Sequence, residues 1–441
     1  MESVAEQRLL PKMGAPMLAL YGLGSMVGAG IYGLVGRAAG LLGGAVWTSF
    51  VVAMAAALLT GLSYAALGAR YPHAGGTAYV IERAFRARVL SYTAGLCVVA
   101  SGLTSMATGS RIVAANVLGL FGLPAPSDSM LALVAVVYLA ILCVLVWRGL
   151  KESLWFNALC TFIEVSGLVF VIVMGARFWG SADLLEFPTV QAWYETGALI
   201  LQSAVLTFFA FIGFEDILNV SEEVRDPQRN VPIGLIAAML GATALYLGVA
   251  ITAVSVVPWQ ELSTSSAPLG AVMERATPWL PPVVYTVITI FAVANTALIN
   301  YVMGSRLVFG MARQGLLPKL LASIHPTRNT PHYATVAIFF AAAALILAGD
   351  VSQLASATVI LLLGVFILMN TAQVILARRP GEPPAAILLP TAAPIVAALI
   401  CTVMLVSRAS GDLRPLQIAG VVVVLIQLVY FATRKSHRTV A

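Results

Sequence analysis

Three acidic residues, Glu164, Glu215 and Asp216, stand inside stretches otherwise apolar enough to cross a bilayer. An acid at the middle of such a stretch costs roughly 2.5–3.5 kcal/mol even on lenient insertion scales, so something must compensate it: a proton, a cation or a paired side chain. Glycines mark two apolar regions, the second of them shared with the acids. Gly22, Gly24, Gly28, Gly30, Gly33 and Gly36 crowd the first apolar run, and Gly213 precedes the adjacent pair of acids. Each glycine weakens a helix interior by roughly 1 kcal/mol relative to Ala. Backbone freed from a helix at membrane depth is tolerated only where protein or a watery cavity satisfies its N–H and C=O groups, so breaks at Ser25 to Gly30 and around Gly213 predict an internal binding site. The spacing Gly24-Ser-Met-Val-Gly28 also suits close helix packing. Packing alone accounts for neither the second break nor its acids.

The two breaks offer complementary chemistry. A helix restarting at Ala29 and Gly30 presents orphan N–H groups and the positive end of a helix dipole, which suit a carboxylate. A helix stopping near Phe209 to Ile212 presents orphan carbonyls and a negative end, which suit an ammonium. Together they describe the zwitterion of an α-amino acid, with Gly28, Ala29 and Gly30 small enough for close approach. Other chemistries lack their parts. Cys97, Cys143, Cys160 and Cys401 lie in apolar spans without Cys-x-x-Cys pairing, and His73, His325, His332 and His437 lie outside the spans without metal-ligand spacing. No nucleophile at depth has an evident base, and no P-loop is present, which argues against an intramembrane enzyme and against ATP-driven transport. No cofactor is expected beyond a coupling proton or sodium ion. A channel would share the hydropathy but needs a continuous pore.

The elements that must position these residues are membrane helices. The chain has 441 residues, 60% hydrophobic and 10% charged, with a mean hydropathy of +0.94; a soluble domain would carry about 25% charge. The fold class is therefore an all-α polytopic membrane protein. Spans of about 20 apolar residues fall near 14–36, 43–69, 89–119, 129–147, 153–179, 196–220, 231–257, 281–304, 333–349, 352–377, 385–407 and 415–433, twelve in all. With the N-terminus inside, nineteen of the 25 basic residues occupy cytoplasmic joints and five the opposite joints, and Arg111 alone lies within a span. The net charge of +6 is thus topology and calls for no nucleic-acid partner. A charged start with no Ala-x-Ala site after a short apolar core predicts that the first span is retained. Five spans run from the first break up to the second, and an odd number reverses the copy in the membrane. This predicts an inverted repeat, 14–180 against 196–378, with discontinuous first and sixth helices holding the substrate between them and two further helices at 385–433.

Several separate segments in order, Gly24-Ser-Met-Val-Gly-Ala-Gly-Ile31, Gly149-Leu-Lys-Glu-Ser153, Phe208 to Glu215, Ser221 to Gly234 and Gly304 to Pro318, resemble the amino acid, polyamine and organocation permease superfamily, with its cationic amino acid transporter-like members. The resemblance implies the five-plus-five inverted-repeat fold shared with sodium-coupled neurotransmitter transporters. It also implies secondary transport of an amino acid or related amine by alternating access, by symport or exchange, in a bacterial cytoplasmic membrane with both termini inside, as a monomer or homodimer. Carried over, the pattern places the ligand carboxylate against the N–H groups of Ala29 and Gly30 and the ammonium against the carbonyls of Met26, Phe209 and Ile212. Ser25, Gly28 and Glu215 complete the pocket, with Glu215 linking the two halves by hydrogen bonds or capping the restarted helix. Phe209 stands where some relatives carry a Trp that closes over substrate, and Phe211 is assigned to gating or to support behind the pocket.

Glu164 falls about 16 Å into the fifth span counted from Ser153, where proton-coupled relatives carry a Lys. The charge is reversed here, and three readings stay open: the acid loads a proton, it ligates sodium with first-span carbonyls and Thr296, or it pairs with an arginine. Arg111 either snorkels to the interface or faces the pocket. Asn295 lies near the expected pocket or joins two helices.

Overall fold

A computed structural model describes residues 9–123, 126–188, 193–265, 267–281, 283–349, 352–411 and 413–438. Seventeen α-helices are present among them: α1 Ala15–Met26, α2 Ala29–Leu42, α3 Trp47–Arg70, α4 Gly76–Phe85, α5 Arg88–Leu120, α6 Asp128–Arg148, α7 Leu150–Gly175, α8 Trp193–Phe208, α9 Asp216–Asn219, α10 Pro227–Val256, α11 Trp259–Thr264, α12 Pro268–Ala276, α13 Val283–Arg313, α14 His332–Leu347, α15 Ser352–Arg378, α16 Ala392–Gly411 and α17 Leu413–Arg438. Short 3-10 turns join several of them, and the described residues form no strand. The chain is a polytopic helical membrane protein.

Among the described residues, nine helical runs are long and apolar enough to cross a membrane, and two shorter apolar helices accompany them at His332–Leu347 and Ala392–Ser407. The expected first span is divided. Its two pieces, α1 and α2, hold 12 and 14 residues, too short to count singly. The expected span at 385–407 becomes helical only at Ala392, because Pro383, Pro384 and Pro390 lack the N–H a helix needs and hold their neighbours extended. Three short helices in the joints, α4, α11 and α12, went unread in the sequence.

Packing follows from the breaks. α1 lies against α10, α7 and α13; α13 lies along α5; α10 lies along α3. Gly24 lets α1 sit on α7 and α13, since a Cβ there would collide with Thr161 and Asn295.

One face of the bundle, the basic one, is closed by ion pairs. Arg306 bonds Glu223 at 3.0 Å with both side chains buried, and Arg313 bonds Glu222 at 2.5 Å. Glu222 also accepts the N–H groups of Ala74 at 2.8 Å and Leu9 at 2.9 Å, and Met13 pairs with Val224 in an isolated parallel bridge. Burial pushes the Glu222 carboxyl up, but the Arg313 hydrogen bond and charge outweigh it and hold the group below the usual carboxylate range. On the same face Arg83 bonds Glu382 at 2.6 Å, and Tyr71 donates to that carboxylate at 3.0 Å.

Candidate functional site

The two helix breaks meet at the centre of the bundle. α1 stops at Met26, the chain turns at Val27 and Gly28, and α2 starts at Ala29. α8 stops at Phe208, a 3-10 turn covers Phe209–Phe211, and regular helix resumes only at Asp216. Gly213 has φ +126, in the region where side chains are strained, and a Cβ on it would lie 2.7 Å from the Ser25 carbonyl oxygen. A Cβ on Gly30 would lie 3.3 Å from the Ala210 backbone. Glycine at these two positions is what brings the breaks into contact.

Side chains then tie the contact. Ser25 Oγ donates to Asp216 Oδ2 at 2.5 Å, joining the end of the first helix to the restart of the second. Tyr246 of α10 reaches the carbonyls of Met26 and Ala210, each at 2.7 Å, so its one hydroxyl hydrogen is shared between the two broken ends. Gly213 N–H donates to Glu215 Oε2 at 2.7 Å.

A cavity of about 220 Å³ lies beside these contacts, closed on its other sides by α5, α13 and α15. Ser25, Met26, Gly28 and Gly30 line it from the first break, and Phe209, Ile212, Gly213, Glu215 and Asp216 from the second. Thr296 and Asn300 face it from α13. A wider vestibule of about 740 Å³ shares Gly30, Phe209 and Thr296 with the cavity and extends to Arg37 and Ser263 to Ser265, away from the basic face. The charged residues that line the inner cavity are both acids, Glu215 and Asp216. The turn at Ala29 leaves first-turn N–H groups without intrahelical partners, and the 3-10 turn at Phe209 leaves carbonyls likewise. The arrangement can hold one small molecule bearing both charges.

Several expectations are corrected by position. Asn295 does not line the cavity: it is fully buried between helices, accepting from Asn157 at 2.8 Å and donating to Thr161 at 2.9 Å. Phe211 is no gate in this arrangement; it is buried edge-on against Tyr246 with ring centroids 5.1 Å apart. Arg111 faces neither the cavity nor the vestibule, because Asp128 at the start of α6 and the Ile346 carbonyl at 3.1 Å hold its guanidinium. The Met26 carbonyl already accepts from Tyr246, and the Phe209 carbonyl accepts the Ile212 N–H at 3.3 Å, so neither is a fully free acceptor. The acid that links the two broken segments is Asp216, whereas Glu215 bonds its own turn. Glu164 is fully buried on α7, outside the cavity and without an arginine partner among the described residues.

Sequence reading missed Tyr246 and the α5 face that carries Ser101, Gly102 and Ser105. A lone Tyr in the apolar α10, whose hydroxyl must find a partner once buried, was the available signal for the first. Small residues at one helical face were the signal for the second. Asn300 spans the gap there, donating to the Thr296 carbonyl at 2.9 Å and to Ser105 Oγ at 3.4 Å.

Comparison with known proteins identifies the family. A family model described as amino acid permease matches residues 17–431. The chain is similar to the vacuolar cationic amino acid transporter 4 of Arabidopsis thaliana, 31% identical over 79% of this chain and 60% of the plant protein. It thus spans about 60% of that relative's length. An uncharacterized transporter of Mycobacterium tuberculosis is 32% identical over 77% of this chain and 74% of its own. The methylthioribose transporter of Bacillus subtilis is 27% identical over 87% of this chain and 85% of its own.

Proposed function

The chain belongs to the amino acid permease family, and on that premise we propose that it is a secondary carrier of amino acids or closely related amines, built as twelve spans in a five-plus-five inverted repeat. The observation that carries this reading is the pair of touching breaks with opposite electrical ends around one small cavity. The substrate carboxylate meets the Ala29 and Gly30 N–H groups at the positive end of α2. The ammonium lies toward the Ile212 carbonyl, with Glu215 and Asp216 supplying negative charge nearby. The vestibule leads to this cavity from one side while ion pairs close the other. Alternating access requires this asymmetry, and the closed basic face is the cytoplasmic one in the orientation that the basic residues favour.

Coupling to a proton is favoured over sodium by the surroundings of Glu164. Sodium needs several oxygens converging on one point, and the Thr161 hydroxyl beside Glu164 already accepts from Asn157 at 3.3 Å and Asn295 at 2.9 Å. A screen of the purified protein by thermal shift against the common amino acids and polyamines is expected to give a stabilising subset, because a ligand that binds only the folded state raises its melting midpoint. In liposomes, a pH gradient drives accumulation of that subset, and Glu164→Gln abolishes the accumulation. Undiminished pH-driven accumulation in Glu164→Gln excludes the coupling assignment.

A further inference from the structure

Glu164 lies outside the inner cavity, and among the described residues the amide of Asn295 is the one polar group that helps its carboxyl, from outside good hydrogen-bonding geometry. Its side chain is fully buried, and neither carboxyl oxygen has a hydrogen-bond partner. The titratable groups that act on it are Cys160 of its own helix, Tyr32 of α2 and Tyr246 of α10. The other elements packed on α7 bring no charge to it: α1 presents Gly24, α13 presents Asn295, and α6 presents Tyr138 beside Cys160. Of the nearby arginines, Arg275 of α12 bonds Glu261, and Arg177 after α7 bonds the Ala276 carbonyl. An ionised carboxylate left alone in such surroundings costs several kcal/mol. The group must take up a cation small enough to need no cage.

A side pocket comes within one helical turn of it. The Tyr32 hydroxyl, buried and likewise unpartnered, borders this side pocket of about 490 Å³ between α2, α5, α7 and α13. Gly167, one helical turn beyond Glu164, forms part of its α7 wall. Ile112 and Val293 line both the side pocket and the vestibule, so the two spaces adjoin there. Past Ala267, Gly270 and Tyr285 the pocket continues into a space of about 540 Å³ bordered by Glu274 and Thr277, at the end of the bundle opposite the basic face.

We propose that Glu164 is a proton-binding site reached through this side pocket, past Tyr32, and that Tyr246 reports its charge to the broken helix ends. The inference rests on the reading of the chain as a proton-coupled carrier. Hydronium in the pocket gives its proton to the Glu164 carboxylate, leaving water and a neutral carboxylic acid. Tyr246 holds one hydroxyl hydrogen between the Met26 and Ala210 carbonyls. An ionised Glu164 competes electrostatically for that hydrogen, and a protonated one does not. Loading the proton therefore tightens the junction that shapes the substrate cavity.

Gly270 gives the test, because a Cβ there meets only the Ala267 Cβ, at 3.5 Å, so a thiol fits at the mouth of the pocket. The Gly270→Cys protein is placed in liposomes, treated with a membrane-impermeant cationic methanethiosulfonate, and compared with the unsubstituted protein treated alike. Uptake of a tritiated mixture of the common L-amino acids is read in two ways, as accumulation under an imposed pH gradient and as counterflow. Modification is expected to abolish accumulation and the accompanying signal of an internal pH dye while leaving counterflow unchanged. Accumulation that survives modification overturns the route, as does counterflow lost along with it. Glu164→Gln separates the two levels: accumulation surviving in that variant sinks the assignment of coupling to Glu164, whereas accumulation lost there but kept in modified Gly270→Cys sinks only the route. Should Gly270→Cys fail to fold, Tyr32→Phe serves, since it removes a hydroxyl that bonds nothing. A slowed dye response at an unchanged melting midpoint supports the route, and an unchanged response overturns it.

Discussion

At the scale of single residues, the site depends on hydroxyls and acids whose partners belong to other helices. Tyr246 is the clearest case, bonding two carbonyls that the breaks would otherwise leave bare. Tyr246→Phe strands both, and a buried polar group without a partner costs about 1–3 kcal/mol. Weaker substrate binding, by about tenfold for each 1.4 kcal/mol lost, is the expected outcome in a thermal-shift titration; unchanged affinity would show that the hydroxyl is dispensable. Which acid does what was not legible in the sequence. Glu215 and Asp216 are neighbours in an apolar run, and only the 3-10 turn at Phe209–Phe211 decides that Asp216 meets Ser25 while Glu215 turns back to Gly213. Asn295 and Arg111 are polar groups in apolar runs, but helical periodicity does not say which neighbour a face will meet. Both proved to be held between helices.

At the scale of elements, the breaks were the most legible feature, because glycine clusters and a pair of acids in an apolar run violate the pattern of an ordinary span. The structure places them at Val27–Gly28 and from Phe209 to Glu215, inside the stretches expected. Gly24 shows how a break is seated. Its replacement by Ala drives a methyl group into Asn157 at 3.0 Å as well as into Thr161 and Asn295. Overpacking of this kind costs about 1–3 kcal/mol, so Gly24→Ala is expected to lower the melting midpoint, checked by thermal denaturation in detergent. The joint helices α4, α11 and α12 were not legible, since short amphipathic pieces carry little periodic signal. The clasp on the basic face makes a pH prediction. Because Glu222 is held below the usual carboxylate range, its contribution is present above that range and lost as pH falls through its own lower value. Deuterium labelling of the Ala74 N–H, which bonds Glu222, corrected for the intrinsic pH dependence of amide exchange, is therefore expected to be slow near neutrality and faster in acid below the usual carboxylate range. Equal labelling across that range would show that the clasp does not depend on the carboxylate.

At the scale of the molecule, an open vestibule on one side and a bonded clasp on the other leave the cavity accessible from a single face. That asymmetry is what a carrier needs. Composition alone fixed the membrane class, and the ordered segments from Gly24 to Pro318 indicated the family. The proposed cargo rests on the charges offered by the two breaks. Counterflow in liposomes, with unlabelled compounds competing against a tritiated mixture of L-amino acids, tests this directly. Free amino acids are expected to compete, while their methyl esters, which lack the carboxylate, and their N-acetyl derivatives, which lack the ammonium, fail to do so. Equal competition by the blocked derivatives, or competition by methylthioribose and by no amino acid, would contradict the account.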